Sequence, residues 1–271
     1  MELFHYYPTT TTRVPVLLHL PHSGTYIPDS LLPNFDPKMA KSQDDCDWNL
    51  LDLYQFVTDL GVDILAATHS RWVVDLNRDP EQVPLYTDGR VITGVVPATD
   101  FNGNPLYKEG YKPNQPEVDA RLDAYFHSYH AILQAKIDEY LAEFGQVILL
   151  DGHSIRTVVP GIRREAFPAY ILGTNQHKSA SETILNTAHQ YWQNTGESYR
   201  YNDPFSGGYI TRHYGNPKKN VHTLQLEMCK SNYMDATETH YAPEKAAVVQ
   251  NHLRGFIEHL IHAIQHHELS L

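Results

Sequence analysis

The chain is poor in cysteine: Cys46 and Cys229 are the only two among 271 residues. So few thiols supply no disulfide framework, and the expectation is two reduced side chains in a cytoplasmic protein. Long apolar runs are missing as well. No stretch approaches the roughly 18 consecutive residues that cross a bilayer. The opening MELFHYYPTTTTR has neither a basic n-region nor an apolar h-region, which reads as no secretory signal. Positive charge is scarce, with 21 Lys and Arg against 32 Asp and Glu and a formal net charge of -11. That balance speaks against nucleic acid and anionic membrane surfaces as partners. An acidic small molecule is compatible with it only where arginines concentrate locally. There is no Walker-type or G-x-G-x-x-G loop for a nucleotide, and no compact H-x-x-E or H-E-x-x-H signature. Internal repeats, low-complexity tracts and linkers are absent too. A composition of 41% hydrophobic and 20% charged residues is ordinary for a globular chain, and residues 1–271 read as one domain.

What the sequence does have is alternation of strand-like and helix-like segments. Apolar, β-rich runs stand at VPVLLHL (14–20), VDILAA (62–67), RWVVDL (71–76), QVILLDG (146–152), AYILG (169–173) and VHTLQLE (221–227). Between them, Trp48, Leu51, Tyr54 and Val57 recur at helical spacing, predicting a helix over about 46–60 with Asp44 and Asp45 as N-cap candidates. A longer helix reads from about 116 to 144, with Gly145 as its C′ residue. Others span about 178–194 and 243–267. Continuous apolar strands alternating with helices imply a sheet covered on both faces. The stretch 79–115, rich in Pro, Gly, Asn and Asp, breaks the pattern and reads as a long functional loop, a lid or a substrate wall.

Polar groups follow three of the strands in a similar manner: His22 in LPHSG, His153 in DGHS and Glu227 in LQLE. Asp44, Asp45 and Asp47, in SQDDCDW, stand before a helix. Two histidines and a carboxylate, with a position left for water, are a usual ligand set of catalytic zinc, and a further carboxylate suits a general base. Taken singly, a histidine after a strand is an ordinary loop residue and an aspartate before a helix an ordinary cap. Arg71, Arg78, Arg156 and Arg212 lie where strands meet loops, positions from which an arginine fork can bind a substrate carboxylate or pair with a neighbouring acid. Gly207 and Gly208 read as a close backbone approach to a ligand or as a turn. Histidine is plentiful, at 17 residues, but the carboxy-terminal His259, His262, His266 and His267 ride a helix with no further ligand pattern beside them.

HLPHSGTYIP, DDCDWNLLDLY, ATHSRWVVDLNRDP, LYTDGRVITGVVPATDFNGNPLY, DGHSIRTVVP, GGYITRHYG and LQLEMCKSNYM resemble, in this order, segments of the N-formylglutamate amidohydrolase family, over about residues 14–234. The resemblance implies an α/β fold: a three-layer α/β/α arrangement with a mixed, mostly parallel sheet, similar to that of the zinc carboxypeptidases. It implies hydrolysis of N-formyl-L-glutamate to formate and L-glutamate, a step of histidine degradation, with one zinc or another divalent metal per chain. His22, His153 and a carboxylate of DDCDW would be the metal ligands. Asp45, which begins the D-x-D-W pattern, is favoured, and Asp47 is the alternative. Glu227 would be the catalytic base, and Arg71, Asn77, Arg78, Arg156 and Arg212 the candidates for holding substrate carboxylates. Asp151, two residues before His153, is a candidate for orienting a ligand imidazole, and Gly24 for keeping the turn after His22 tight. Two other readings stand beside this one: hydrolysis of another N-acyl amino acid or small peptide, and a non-catalytic binder of an acidic small molecule.

Overall fold

In the central strands of the chain, successive residues point to opposite faces, and both faces are buried. The computed structural model describes residues 1–84 and 89–266. Seven strands form one sheet: β1 (Phe4–Tyr7), β2 (Val16–Leu20), β3 (Asp63–Ala67), β4 (Val147–Ile155), β5 (Tyr170–Gly173), β6 (Tyr199–Tyr201) and β7 (Val221–Cys229). Their order is β1-β3-β2-β4-β7-β5-β6. The pairs β2–β3, β2–β4, β4–β7 and β5–β6 are parallel, whereas β1–β3 and β5–β7 are antiparallel. The sheet is therefore mixed and mostly parallel, as expected.

Seven α-helices accompany it among the described residues: α1 (Pro37–Ser42), α2 (Leu50–Tyr54), α3 (Gln115–Arg121), α4 (Ser128–Phe144), α5 (Glu182–Asn194), α6 (Tyr209–Tyr214) and α7 (Pro243–Gln265). Even-numbered residues of β2, β4 and β7, such as Leu18, Leu150 and Leu226, pack with α2, α5 and α7 around Trp192, Leu253 and Phe256. Odd-numbered ones, such as Leu17, Leu149 and Val221, pack with α4 and α6 around Tyr129, Leu133 and Ile210. These two cores make the three layers. Full burial of each Leu or Ile is worth roughly 1.5–3 kcal/mol, so the two-sided strands anchor the structure.

The parity has a second consequence. On the odd face, β4 passes from Val147 and Leu149 to Asp151 and His153, and β7 from Val221 to Gln225 and Glu227. The even face stays free of charge to the strand ends. One face of the sheet thus turns polar at its carboxyl edge while the other remains core.

Several expectations need correction. Residues 71–76 form no strand. They make a buried irregular turn in which Val73 N bonds Ser70 O and Asp75 N bonds Val95 O, and their side chains divide between two cores. The helix expected over 46–60 begins only at Leu50, with Asn49 at its N-cap, and continues past Tyr54 as a 3-10 turn (Gln55–Leu60). Asp44 and Asp45 do not cap it. The short strands β1 and β6 escaped notice because neither carries a continuous buried run. The long helix is α3 and α4 joined by a π-helical turn (Leu122–His127), and Gly145 closes it at φ 72°, as its sequence position implies. Residues 79–84 and 89–114 hold no helix or strand, yet Phe101, Leu106 and Tyr107 anchor them in buried clusters.

Candidate active site

At the carboxyl edge of the central strands, His22, Asp47 and His153 bring three ligand atoms within 4.8 Å of one another. His22 follows β2, where Pro21 and His22 leave the sheet. His153 sits near the end of β4. Asp47 lies in the turn before α2, held by a bond from its own N–H to His22 O at 2.9 Å. The two Nδ1 atoms are 3.1 Å apart, and Asp47 Oδ2 lies 3.3 Å from that of His153 and 3.8 Å from that of His22.

The other ring nitrogens fix what these atoms are. His22 Nε2 meets Asp75 Oδ1 at 2.8 Å, and His153 Nε2 meets Asp151 Oδ2 at 2.9 Å. A carboxylate only accepts, so each Nε2 carries the proton. Both Nδ1 atoms then present lone pairs to a shared point, beside a buried carboxylate whose two oxygens have no hydrogen-bond partner. Two lone pairs and an unsatisfied anion facing one another are costly without positive charge between them. The donor set fits a divalent cation, and the Asp75 and Asp151 carboxylates are the partners that orient metal-binding imidazoles elsewhere. Electrostatics tell the same story. Burial works against a charged His153, but Asp151 and Asp47 outweigh it and push the imidazole well above its usual range. Burial and then the Arg71 charge bring His22 down to about 4. Positive charge is drawn to the point between them, whether as a proton or as a metal.

Asp151 is held in turn. His19 Nδ1 lies 2.8 Å from Asp151 Oδ1, and His19 Nε2 lies 3.0 Å from the Tyr129 hydroxyl of α4. On the next strand, Glu227 is the register partner of His153, so both side chains leave the same face. Burial pushes the Glu227 carboxyl up to about 8, helped by Asp47 and opposed by His153 and Arg71.

His22, Asp47, His153 and Glu227 line one pocket. Arg71 enters it after bonding Asp75 Oδ2 at 2.6 Å and Asp45 O at 3.2 Å, with its guanidinium 4.7 Å from the centre of the Phe101 ring. Arg78 lines it too, anchored on Thr93 O at 3.2 Å. The opposite wall comes from the irregular segment, through Arg90, Val91, Ile92 and Phe101, with Ile162 and Phe205 beside it. Asn77 is fixed on every side. Its Oδ1 accepts from Ile210 N at 2.8 Å, and its Nδ2 donates to Asp151 Oδ2 at 3.4 Å. Gly208 makes room for this amide, since a Cβ there would stand 2.4 Å from Asn77 Oδ1. Gly24 serves a comparable approach: a Cβ would meet the Thr68 carbonyl carbon at 2.2 Å.

Not every expected residue arrives. Asp45 does not join the histidines. Its carboxylate accepts from Trp72 Nε1 and from Phe101 N, both at 3.1 Å, and burial raises it to about 6. The reason is local. Residues 43–48 form turns, with Cys46 N on Gln43 O and Trp48 N on Cys46 O, so side chains two apart do not share a side as they would in a strand. Arg156 lies outside the pocket, paired with Asp44 at 3.1 Å and donating to Thr237 O. Arg212 lies outside it as well, donating to Gly207 O and Ser206 Oγ at 3.0 Å. Sequence reasoning missed Asp75, Gln225, Arg90 and Phe101. Asp75 was legible as an acid inside the apolar run WVVDL, four residues after Arg71. Gln225 was legible by parity with Glu227. Arg90 and Phe101 carry no local signal.

The N-formylglutamate amidohydrolase family model matches residues 14–234. The N-formylglutamate deformylase of Pseudomonas putida is 37% identical over 251 residues, covering 92% of this chain and 93% of the relative. That of Pseudomonas aeruginosa is 37% identical over 254 residues with the same coverage. Among solved structures, the N-formylglutamate amidohydrolase of Ralstonia eutropha JMP134 superimposes with a TM-score of 0.80 at 22% identity, over the full length of both chains. With a match across most of its length and these relatives, the chain belongs to the N-formylglutamate amidohydrolase family.

Proposed function

We propose that the protein is a zinc-dependent amidohydrolase that cleaves N-formyl-L-glutamate to formate and L-glutamate, in the course of histidine degradation. The observation that carries this reading is the unsatisfied His22–Asp47–His153 donor set sharing a pocket with Glu227 and three arginines, Arg71, Arg78 and Arg90. The family membership and the names of the two Pseudomonas relatives support the substrate.

His22, Asp47 and His153 are the residues that would hold the metal. Zinc bound there supplies Lewis acidity, lowering the pKa of water toward about 7 and polarising a carbonyl oxygen. Asp75 and Asp151 keep both imidazoles in the Nε2–H tautomer and point Nδ1 at the metal. Arg71 and Arg78 bind substrate carboxylate and aim the formyl group toward Glu227. Glu227 takes a proton from the attacking water and delivers it to the departing nitrogen, so that one C–N bond is exchanged for one C–O bond. Its buried setting raises its proton affinity, which suits a group that must hold a proton between those two events. Val91, Ile92, Phe101 and Phe205 exclude bulk water on the other side.

The test is to measure zinc content and formate release from N-formyl-L-glutamate, before and after chelation. One zinc per chain with formate release that is lost on chelation and regained with zinc is the expected outcome. Zinc without formate release would redirect the assay to other N-acyl amino acids. A folded protein with neither, unchanged by added zinc, would overturn the proposal.

A further inference from the structure

Lys230 is 1% exposed, and its ammonium bonds backbone carbonyls rather than a carboxylate. It stands directly after β7, three residues beyond Glu227. Its ammonium donates to Asp44 O at 2.8 Å and to Cys46 O at 2.6 Å, and rests 4.3 Å from the centre of the Trp48 ring. All three contacts fall on residues 44–48, the turn that carries Asp47. The neighbouring Tyr233 adds a fourth, its hydroxyl donating to Trp48 O at 2.9 Å. Burying an ammonium is costly, and an apolar side chain of similar volume would fill the same space without that cost. The charge is therefore placed for what it grips.

We infer that Lys230 is a positioning residue that aims the Asp47 carboxylate at the two histidines, by fixing the peptide unit from which Asp47 springs. The Asp47 carboxylate makes no hydrogen bond of its own, so its direction is set by its backbone. The Cys46–Asp47 peptide is held at both ends: Lys230 takes the Cys46 carbonyl and His22 O takes the Asp47 N–H. Releasing the Lys230 end frees the peptide to rotate about the His22 contact and swings the carboxylate. Because Lys230 and Glu227 share one strand end, the acid–base residue and the anionic ligand stand on a common support. This inference rests on the metal-site reading proposed above.

The experiment measures zinc affinity by chelator competition and the visible spectrum of the cobalt(II)-substituted protein, for wild type, K230M, K230R and Asp47→Asn, and for K230M combined with Asp47→Asn. Loss of a group that orients a ligand typically weakens metal binding about 10–100-fold. K230M is expected to show a loss of that size with an altered cobalt spectrum, while KM at saturating zinc stays within about twofold because Arg71 and Arg78 are untouched. K230R, which keeps charge and donors, should recover part of the affinity. In the Asp47→Asn background, K230M should add little further loss. Wild-type zinc affinity and cobalt spectrum in K230M would overturn the inference, as would an equal loss with and without Asp47. Should K230M not fold, Lys230→Gln, which is shorter and uncharged and so does not span to both carbonyls, is judged by the same criteria. If Asp47→Asn itself binds zinc as wild type does, the fault lies in the metal-site reading instead.

Discussion

The pocket has two sides built by opposite means. On one, His153 and Glu227 project from the ends of two nine-residue strands in register, each buried on both faces. On the other, Arg71, Arg78, Arg90 and Phe101 come from chain without helix or strand, held by side-chain bonds to backbone carbonyls and by cation–ring contacts. The strand side fixes His153 and Glu227 in relation to one another, and His22 and Asp47 reach them from the turns beside it. The irregular side fixes a wall whose shape changes with few residues. On the function proposed above, the base and the His153 ligand belong to the first side, and the groups that face substrate belong to the second.

The comparison breaks most visibly at Glu227. Replacing it with Gln should lower turnover about 10²–10⁴-fold while zinc content stays at one per chain, read by formate release and metal analysis. A near-normal rate would remove Glu227 from the chemistry. Next in size is the contrast between two aspartates in one turn. Asp47→Asn should weaken zinc binding by more than about 100-fold, beyond the effect usual for an outer partner. Asp45→Ala should keep zinc but lose on the order of 1–3 kcal/mol of stability, because Trp72 Nε1 and Phe101 N are left without an acceptor. Denaturant unfolding together with chelator competition separates the two.

On the wall side, Arg78→Met should raise KM for N-formyl-L-glutamate by about 10–100-fold, the scale of a lost charge-assisted bond. Arg156→Met, outside the pocket, should leave KM within about twofold. Equal effects would erase the distinction between the arginines. The last prediction concerns pH in the chelated protein. The folded Glu227 carboxyl is raised from 4.5 to about 8, so its contribution favours folding while it is protonated. That contribution is fully present below about pH 4.5 and is lost as pH rises through about 8. Glu227→Gln should therefore make the chelated protein more stable than wild type at alkaline pH, on the order of a few kcal/mol, with no advantage at pH 4. A pH-independent difference in Tm would contradict the burial of a proton-bearing carboxyl.

How much was legible follows the same division. Strands β2, β3, β4, β5 and β7 announced themselves as apolar runs, and the polar residues at their ends, His22, His153 and Glu227, followed from them. The mixed, mostly parallel sheet came with the family resemblance. Asp47 rather than Asp45 was not readable, because the choice depends on a turn whose conformation is set by Lys230 and His22, distant in sequence. The error over 71–76 has a related cause. RWVVDL is apolar enough for a strand, but its residues are buried by divergent neighbours rather than by a ladder, and its two charges pair with each other through Arg71 and Asp75. Arginines were the weakest signal. Four strand-to-loop positions looked alike, and only tertiary contacts separate Arg78, in the pocket, from Arg156 on Asp44.

The change of character along the odd face of β4 and β7 bears on how this protein can diverge. A strand that carries core on one side and reacting groups on the other tolerates substitutions but not a change of length. One residue inserted before Glu227 would turn it into the core shared with α2, α5 and α7 and bring Leu226 or Met228 to the pocket, losing reaction and core together. The irregular wall has no such parity, and insertions or deletions there would alter only the shape presented to substrate. Length variation among natural relatives should accordingly collect between residues 79 and 114 and spare the two central strands.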